Sequence, residues 1–154
     1  MLAMLTRREI VIAAIAAGTT LATVAAAQSP SKAVMRSRVF DSIRIKPETT
    51  KAGQRREVFD APTVTLERFA SHITTLNPGQ APHPAHRHPE EELMIVREGS
   101  VEVMLNGQPT HVDTGGMIFC ASNEMHGIRN PGTVPATYYV VKWFPHDLPR
   151  TKPE

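Results

Sequence analysis

Residues 79–99 read Gly79-Gln80-Ala81-Pro82-His83-Pro84-Ala85-His86-Arg87-His88-Pro89-Glu90-Glu91-Glu92-Leu93-Met94-Ile95-Val96-Arg97-Glu98-Gly99. Three histidines fall within six residues, and three glutamates follow directly. His86 and His88 are two apart, so on an extended chain both side chains leave the same face, with Cα atoms about 6.5 Å apart. Two imidazoles can close that span around one metal ion. Glu92 lies about 13 Å from His88 if the chain stays extended, too far to share the ion. Pro89 favours a strand end at His88, and a turn through Pro89, Glu90 and Glu91 returns Glu92 to a neighbouring strand. Two nitrogens and a carboxylate then converge. Such donors suit iron, manganese, nickel, cobalt or zinc, with copper also compatible. The competing reading is a solvated His- and Glu-rich loop. Glu91 replaces Glu92 as the acid if the turn is one residue shorter.

Outward from this stretch the chain alternates like a set of strands. Glu92 to Arg97 is expected as one strand, Glu98-Gly99 as a turn, and Ser100 to Leu105 as the next strand. Asn106-Gly107 favours a type I′ hairpin turn, in which both central residues need positive φ. Gly115-Gly116 opens a strand from Met117 to Ala121, and Val134 to Phe144 is the last strand before Pro145. Upstream, Arg38 to Ile45 reads as an alternating strand, Lys46 to Gln54 as a polar loop, and Thr63 to Leu76 as strand ending at the Asn77-Pro78-Gly79 turn. With 13 Pro and 9 Gly and no sustained helical period after residue 27, seven or more short strands imply an all-β sandwich or small barrel. A closed barrel has no free edges and can hold an interior pocket.

Composition narrows the function. The 154 residues are 41% hydrophobic and 21% charged, the balance of an ordinary globular chain. Lys+Arg 17 against Asp+Glu 15 gives +2, and no basic run appears, so no nucleic-acid partner is expected. One cysteine, Cys120, excludes an internal disulfide and a multi-cysteine cluster, and reads as a small buried strand residue. At the start, Arg7-Arg8 precede an uncharged apolar stretch, Ile10 to Ala27, ending Ala25-Ala26-Ala27. These are the parts of a secretory signal, and the arginine pair fits the twin-arginine export route. A general secretory signal and a retained anchor are the alternatives. The expected organisation is a signal at 1–27, a flexible lead-in at 28–37, one domain at 38–147 and a tail at 148–154. A cut after Ala27 places the mature protein in the periplasm or outside the cell, without stable membrane association.

Gly79 to Gly99 resembles the first motif of the cupin superfamily: glycine, five residues, His-x-His, three or four residues, Glu, six residues, glycine. The one departure is a spacing of six between Gly79 and His86. Gly115 to Asn130 resembles the second motif (glycine, five residues, Pro-x-Gly, two residues, His, three residues, Asn), with Ala121 where proline is usual and Asn123 where glycine is usual. Asn tolerates positive φ, so the turn can survive. The resemblance spans about Thr63 to Lys142. It implies a double-stranded β-helix, a jelly-roll-type barrel, with His86, His88, Glu92 and His126 on one divalent transition metal and two coordination positions left open. Cupins include dioxygenases, isomerases, decarboxylases and lyases. The resemblance therefore implies an enzyme of oxygenase or lyase type on a small phenolic, enolic or carboxylate molecule. A non-catalytic small-molecule binder and a structural dimer are the alternatives, and single-barrel cupins allow a homodimer. Glu92 is also the one candidate acid–base group.

The remaining expectations concern the pocket. Lys142 is expected to point outward, which puts Tyr139, Val141 and Trp143 on the inner face; Tyr139, Trp143 and Arg129 are then the substrate-contact candidates. Arg87 and Arg97 read as solvated cations with a steering role as the alternative. His83 reads as an exposed loop residue, and His72, His111 and His146 as surface or strand positions.

Overall fold

The computed structural model describes residues 33–147. The readings made for the signal and its arginine pair, for the first part of the lead-in and for the tail lie outside the described residues. Among the described residues there are nine strands and no helix: β1 (Glu48–Thr50), β2 (Gly53–Ala61), β3 (Leu66–Leu76), β4 (Glu91–Glu98), β5 (Ser100–Leu105), β6 (Gln108–Asp113), β7 (Met117–Cys120), β8 (His126–Arg129) and β9 (Ala136–Pro145). They form a six-stranded sheet in the order β1-β2-β3-β9-β4-β7 and a three-stranded sheet in the order β6-β5-β8. All named pairings are antiparallel. This is a jelly-roll barrel.

Period-two alternation explains why the strands face as they do. In β4, Glu92, Met94 and Val96 are buried while Glu91, Leu93 and Ile95 are half-covered. In β5, Val101 and Val103 are buried. These residues join Leu76, Ile118, Ile128, Ala136, Tyr138 and Val140 in one apolar cluster between the sheets. Burying a single Val or Leu side chain stabilises by about 1.5–3 kcal/mol, so this cluster is the main source of the fold's stability. Above it lies a buried polar layer containing His72, Glu92 and His126.

The turns follow their residues. Asn106 (φ 48°) and Gly107 (φ 85°) both take the left-handed region, and Leu105 pairs with Gln108 across them. Gly99 is the single residue between β4 and β5, where the chain leaves one sheet for the other. Its φ is +75°, and a Cβ there would stand 2.8 Å from the Pro135 carbonyl oxygen.

Two upstream expectations are corrected. Arg38 to Ile45 is not a strand: Val39 is 94% and Ile43 93% exposed. The Asp41 carboxylate accepts from the Ile43 amide at 3.1 Å, and the Arg44 amide donates to the Asp41 carbonyl, so a local turn replaces a ladder. Lys46 to Gln54 is not simply a loop, because it contains β1 and the start of β2. The strand β2 is not evident in the sequence because its charged run QRREVFDA gives no clean alternation. It is held by the ladder to β3 and by Phe59, whose ring lies 5.0 Å from Phe40 and 4.9 Å from Phe69.

His72, on the inner side of β3 opposite Val140, is 8% exposed. Burial, with Arg55 and Lys142 adding to it, pushes its pKa down to about 3. The unfolded chain therefore takes up a proton below about pH 6.5 that the folded chain refuses down to about pH 3. Its contribution is whole above that window and is lost as the pH falls through it, by up to about 1.4 kcal/mol per pH unit.

Two outcomes are expected from this architecture. Gly99→Ala should destabilise by about 1–3 kcal/mol, read as a lower urea midpoint at pH 7.5; an unchanged midpoint would show that the left-handed turn costs nothing there. The urea midpoint of the metal-free protein should be level from pH 8 to 7 and fall from pH 6.5 to 4. His72→Phe should flatten that slope by about one proton, and a slope identical to wild type would remove His72 as its source.

Candidate functional site

The site is assembled by backbone before any side chain contributes. In the segment that joins β3 to β4, the His86 amide donates to the His126 carbonyl at 2.9 Å and the His126 amide donates back at 3.0 Å. The Asn123 amide donates to the His88 carbonyl at 2.9 Å, which ties the second histidine to the turn before β8. Asn123 adopts φ 60°, so the turn closes without glycine. Beside His126, a Cβ on Gly127 would sit 3.1 Å from the Ala85 side chain; the bare backbone lets the two segments approach. Glu92 then enters as the first inward residue of β4, in register with Lys142 on one side and Cys120 on the other.

The three imidazoles converge. Ring centroids are separated by 5.2 Å for His86–His88, 4.9 Å for His86–His126 and 4.8 Å for His88–His126. One nitrogen from each lies within 4.8 Å of the others. His88 Nδ1–H donates to the Glu90 carbonyl and His126 Nδ1–H to the Glu124 carbonyl, each at 2.9 Å. In a neutral ring the proton is thereby held on Nδ1 and the lone pair lies on Nε2, which in His88 faces the Lys142 ammonium at 3.3 Å. His126 Nε2 and His86 Nδ1 are buried with no hydrogen-bond partner among the described residues. Buried polar atoms are seldom left so, and each calls for an explanation. Glu92 Oε2 lies 3.5 Å from His88 Nε2. A donor set of neutral imidazoles and one carboxylate, with two nitrogens lacking partners, fits a divalent transition metal.

Charge around the donors is arranged to keep them in ligating form. Burial pushes the Glu92 carboxyl up, but His88 and the Lys142 ammonium outweigh it and bring its pKa down to about 2. Burial lowers His86 to about 4, with the neighbouring histidines adding to it, and lowers His126 as well. Behind His88, burial raises the Glu90 carboxyl, while its own backbone N–H and the Arg68 guanidinium 2.7 Å away hold it below its usual range. Arg68 in turn grips Asp60 at 3.0 Å.

The last strand faces the other way from expectation. Lys142 points inward: its Nζ stands 2.8 Å from Glu92 Oε2 and 3.3 Å from His88 Nε2. Cross-strand pairing explains this, because Lys142 lies opposite Glu92 and shares its face. Tyr138 and Val140 are inward with it, and Tyr139, Val141 and Trp143 are on the outer side. Trp143 Nε1–H donates to Glu91 Oε2 at 2.7 Å, so Glu91 and Trp143 meet on that outer face. Arg129 pairs with Glu102 at 2.7 Å on the exposed side of the small sheet. None of Tyr139, Trp143 and Arg129 lines the cavity at the histidines.

That cavity has a volume of about 50 Å³ and is lined by His72, His83, Arg55, Tyr138 and Lys142 beside the histidines and Glu92. His72, Arg55 and Tyr138 were missed. The period-two spacing of His72 with Ala70, Thr74 and Leu76, all buried on β3, is the signal in the sequence for its inward position. His83, exposed at the mouth, stacks edge-on against His86 at 4.3 Å. Arg87 and Arg97 are exposed, as are His111 and His146. Cys120 is buried and its thiol is pushed up to about 12 by burial and Glu92, so it stays protonated beside the site.

Comparisons with known proteins agree with this barrel. Residues 72–142 match the Cupin_2 model, described as a cupin domain. No curated protein matches the sequence. Among solved structures, the polyketide cyclase RemF from Streptomyces resistomycificus is 25% identical, with 76% of this chain and 85% of that one covered and a TM-score of 0.58. A predicted oxalate decarboxylase from Thermotoga maritima is 21% identical over 70% of this chain and 99% of that one, TM-score 0.57. An RmlC-like cupin from Shewanella frigidimarina is 17% identical over 72% and 95%, TM-score 0.59. The last two likenesses speak to the fold alone. Both motifs lie inside the matched segment 72–142, and the jelly-roll topology around them is the cupin-barrel fold that these solved structures share.

Proposed function

We propose that this chain is an exported metal-binding cupin that acts on a small organic substrate, with His86, His88, Glu92 and His126 holding one divalent transition-metal ion. The observation that carries the reading is the pair of buried imidazole nitrogens, His86 Nδ1 and His126 Nε2, left without partners beside His88 and Glu92. When bound, the ion supplies Lewis-acid polarisation of a substrate oxygen, or oxygen chemistry if it is iron. The chain's own residues do the positioning. His88 and His126 are oriented by the Glu90 and Glu124 carbonyls, and the Lys142 ammonium 2.8 Å away favours the ionised form of Glu92. The apolar cluster below, with Met94 and Val140 at the cavity floor, keeps bulk water from the inner side. The small volume selects a ligand of few atoms. Likeness to a polyketide cyclase supports an enzyme over a passive barrel.

Export is part of the proposal, resting on Arg7-Arg8, the apolar stretch Ile10 to Ala27 and its small-residue end.

Purified wild-type protein should carry about one transition-metal ion per chain by elemental analysis. His126→Ala should lower affinity by more than about a hundredfold, since second-shell partners alone are worth ~10–100-fold. Equal metal content in His86→Ala, His126→Ala and wild type would end the metal reading. Loaded wild type should turn over a small carbonyl or enol substrate that His126→Ala leaves untouched; stoichiometric binding without product would make it a binding protein. For export, Arg7→Lys with Arg8→Lys should leave the precursor in the cytoplasm by cell fractionation. Normal export of that variant would exclude the twin-arginine route.

A further inference from the structure

In the metal reading Lys142 does no more than keep Glu92 ionised. Its side chain retains 21% exposure, and its ammonium stands 2.8 Å from Glu92 Oε2 and 3.3 Å from His88 Nε2. It therefore faces the same donors that the ion would use. Arg55 is a second cation on the lining and is already forked on the exposed Glu57 at 2.8 Å. Among the described residues lining the cavity, Glu92 is the single carboxylate. In a covered pocket an ammonium without a counter-charge is costly. A cation drawing on Glu92 weakens the one negative partner that Lys142 has. Something negative must then enter, and the space of about 50 Å³, which the ion shares, limits it to a group of a few non-hydrogen atoms.

We infer that Lys142 is the anchor for the substrate's anionic group, and that the ligand of this site is a small carboxylate or an enolate of similar size. This rests on the proposed metal site and adds the class of molecule that reaches it. Neutral molecules of the same shape are discriminated against, because they leave the ammonium unpaired. Tyr138 and Met94, on the inner faces of β9 and β4, shape the apolar side of the pocket, so selection by charge comes from Lys142.

Acetate and acetamide, nearly isosteric and differing by one charge, are the probes. In the metal-loaded protein acetate should bind wild type and Lys142→Arg alike, and Lys142→Met at least about tenfold more weakly; acetamide should not distinguish them. A second pair needs no metal and leaves no unpaired carboxylate. Glu92→Gln frees the ammonium, and it should take acetate at least about tenfold more tightly than Glu92→Gln/Lys142→Met, by NMR titration of the metal-free protein. Acetate affinity equal across that second pair overturns the inference whatever the fate of the loaded variants. The metal content of wild type is scored separately: an ion-free wild type with Lys142-dependent acetate binding in Glu92→Gln would sink the metal reading and keep the anion anchor.

Discussion

The reciprocal pair of backbone hydrogen bonds between His86 and His126 is the constraint on which the site depends. It is an isolated bridge outside both ladders, at the start of β8. Forty residues separate its two members, so closing it fixes a long loop for two bonds, a favourable exchange only because the barrel already brings the segments near one another. Once it is formed, the imidazole of each histidine leaves a defined backbone position. The Asn123 amide on the His88 carbonyl sets the third ring by the same device. The rings are thus set by main chain, which is stiffer than any side-chain contact, and their Nδ1–H groups are turned to carbonyls of the same loops. Pre-organisation of this kind keeps donor atoms together before anything binds them.

How much of this was legible depended on where the physical constraint was written. The four donor residues lie at short, fixed spacings beside Pro89, Gly99, Gly115 and the Asn123 turn, and those breakers limit the backbone to few paths. Legibility was equally good for β4, β5 and the Asn106-Gly107 turn, where one face is apolar and the turn chemistry is specific. It failed along β9. That strand carries apolar residues on both faces, Tyr138 and Val140 against Tyr139, Val141 and Trp143, so alternation cannot say which side is inner. The only charge in it, Lys142, suggests an outward position, because lysines seldom lie inside without a partner. The partner exists, but it is 50 residues away and visible only through the β4–β9 register. At Arg38 to Ile45 the error ran the other way: alternation without a neighbouring strand to pair with gave way to a turn built by Asp41.

The charges within the barrel form one connected series. Asp60 holds Arg68, Arg68 holds Glu90, Glu90 lies 3.5 Å from His88 Nδ1, and His88 reaches Glu92 and Lys142. The outer members are well exposed and contribute little to stability, about 0–1 kcal/mol per pair. Their effect is on orientation: Glu90 is buried and anchored, and its carbonyl is what directs His88. An ordinary surface pair thereby extends by contact to a ring in the interior.

Stability and site occupy different layers of the same strands, and the division has a physical reason. On β4, Met94 and Val96 belong to the apolar cluster, while Glu92 two residues earlier belongs to the polar layer; on β9, Tyr138 and Val140 stand to Lys142 in the same way. Burying Glu92 with Lys142 does little for stability, since the cost of desolvating both charges is comparable to their attraction. An apolar pair at those two positions would pack the barrel end at least as well. Packing and stability therefore do not account for two partnerless imidazole nitrogens, an ionised acid and an inward ammonium at one end of an otherwise apolar barrel, while the apolar end below keeps that cluster in shape.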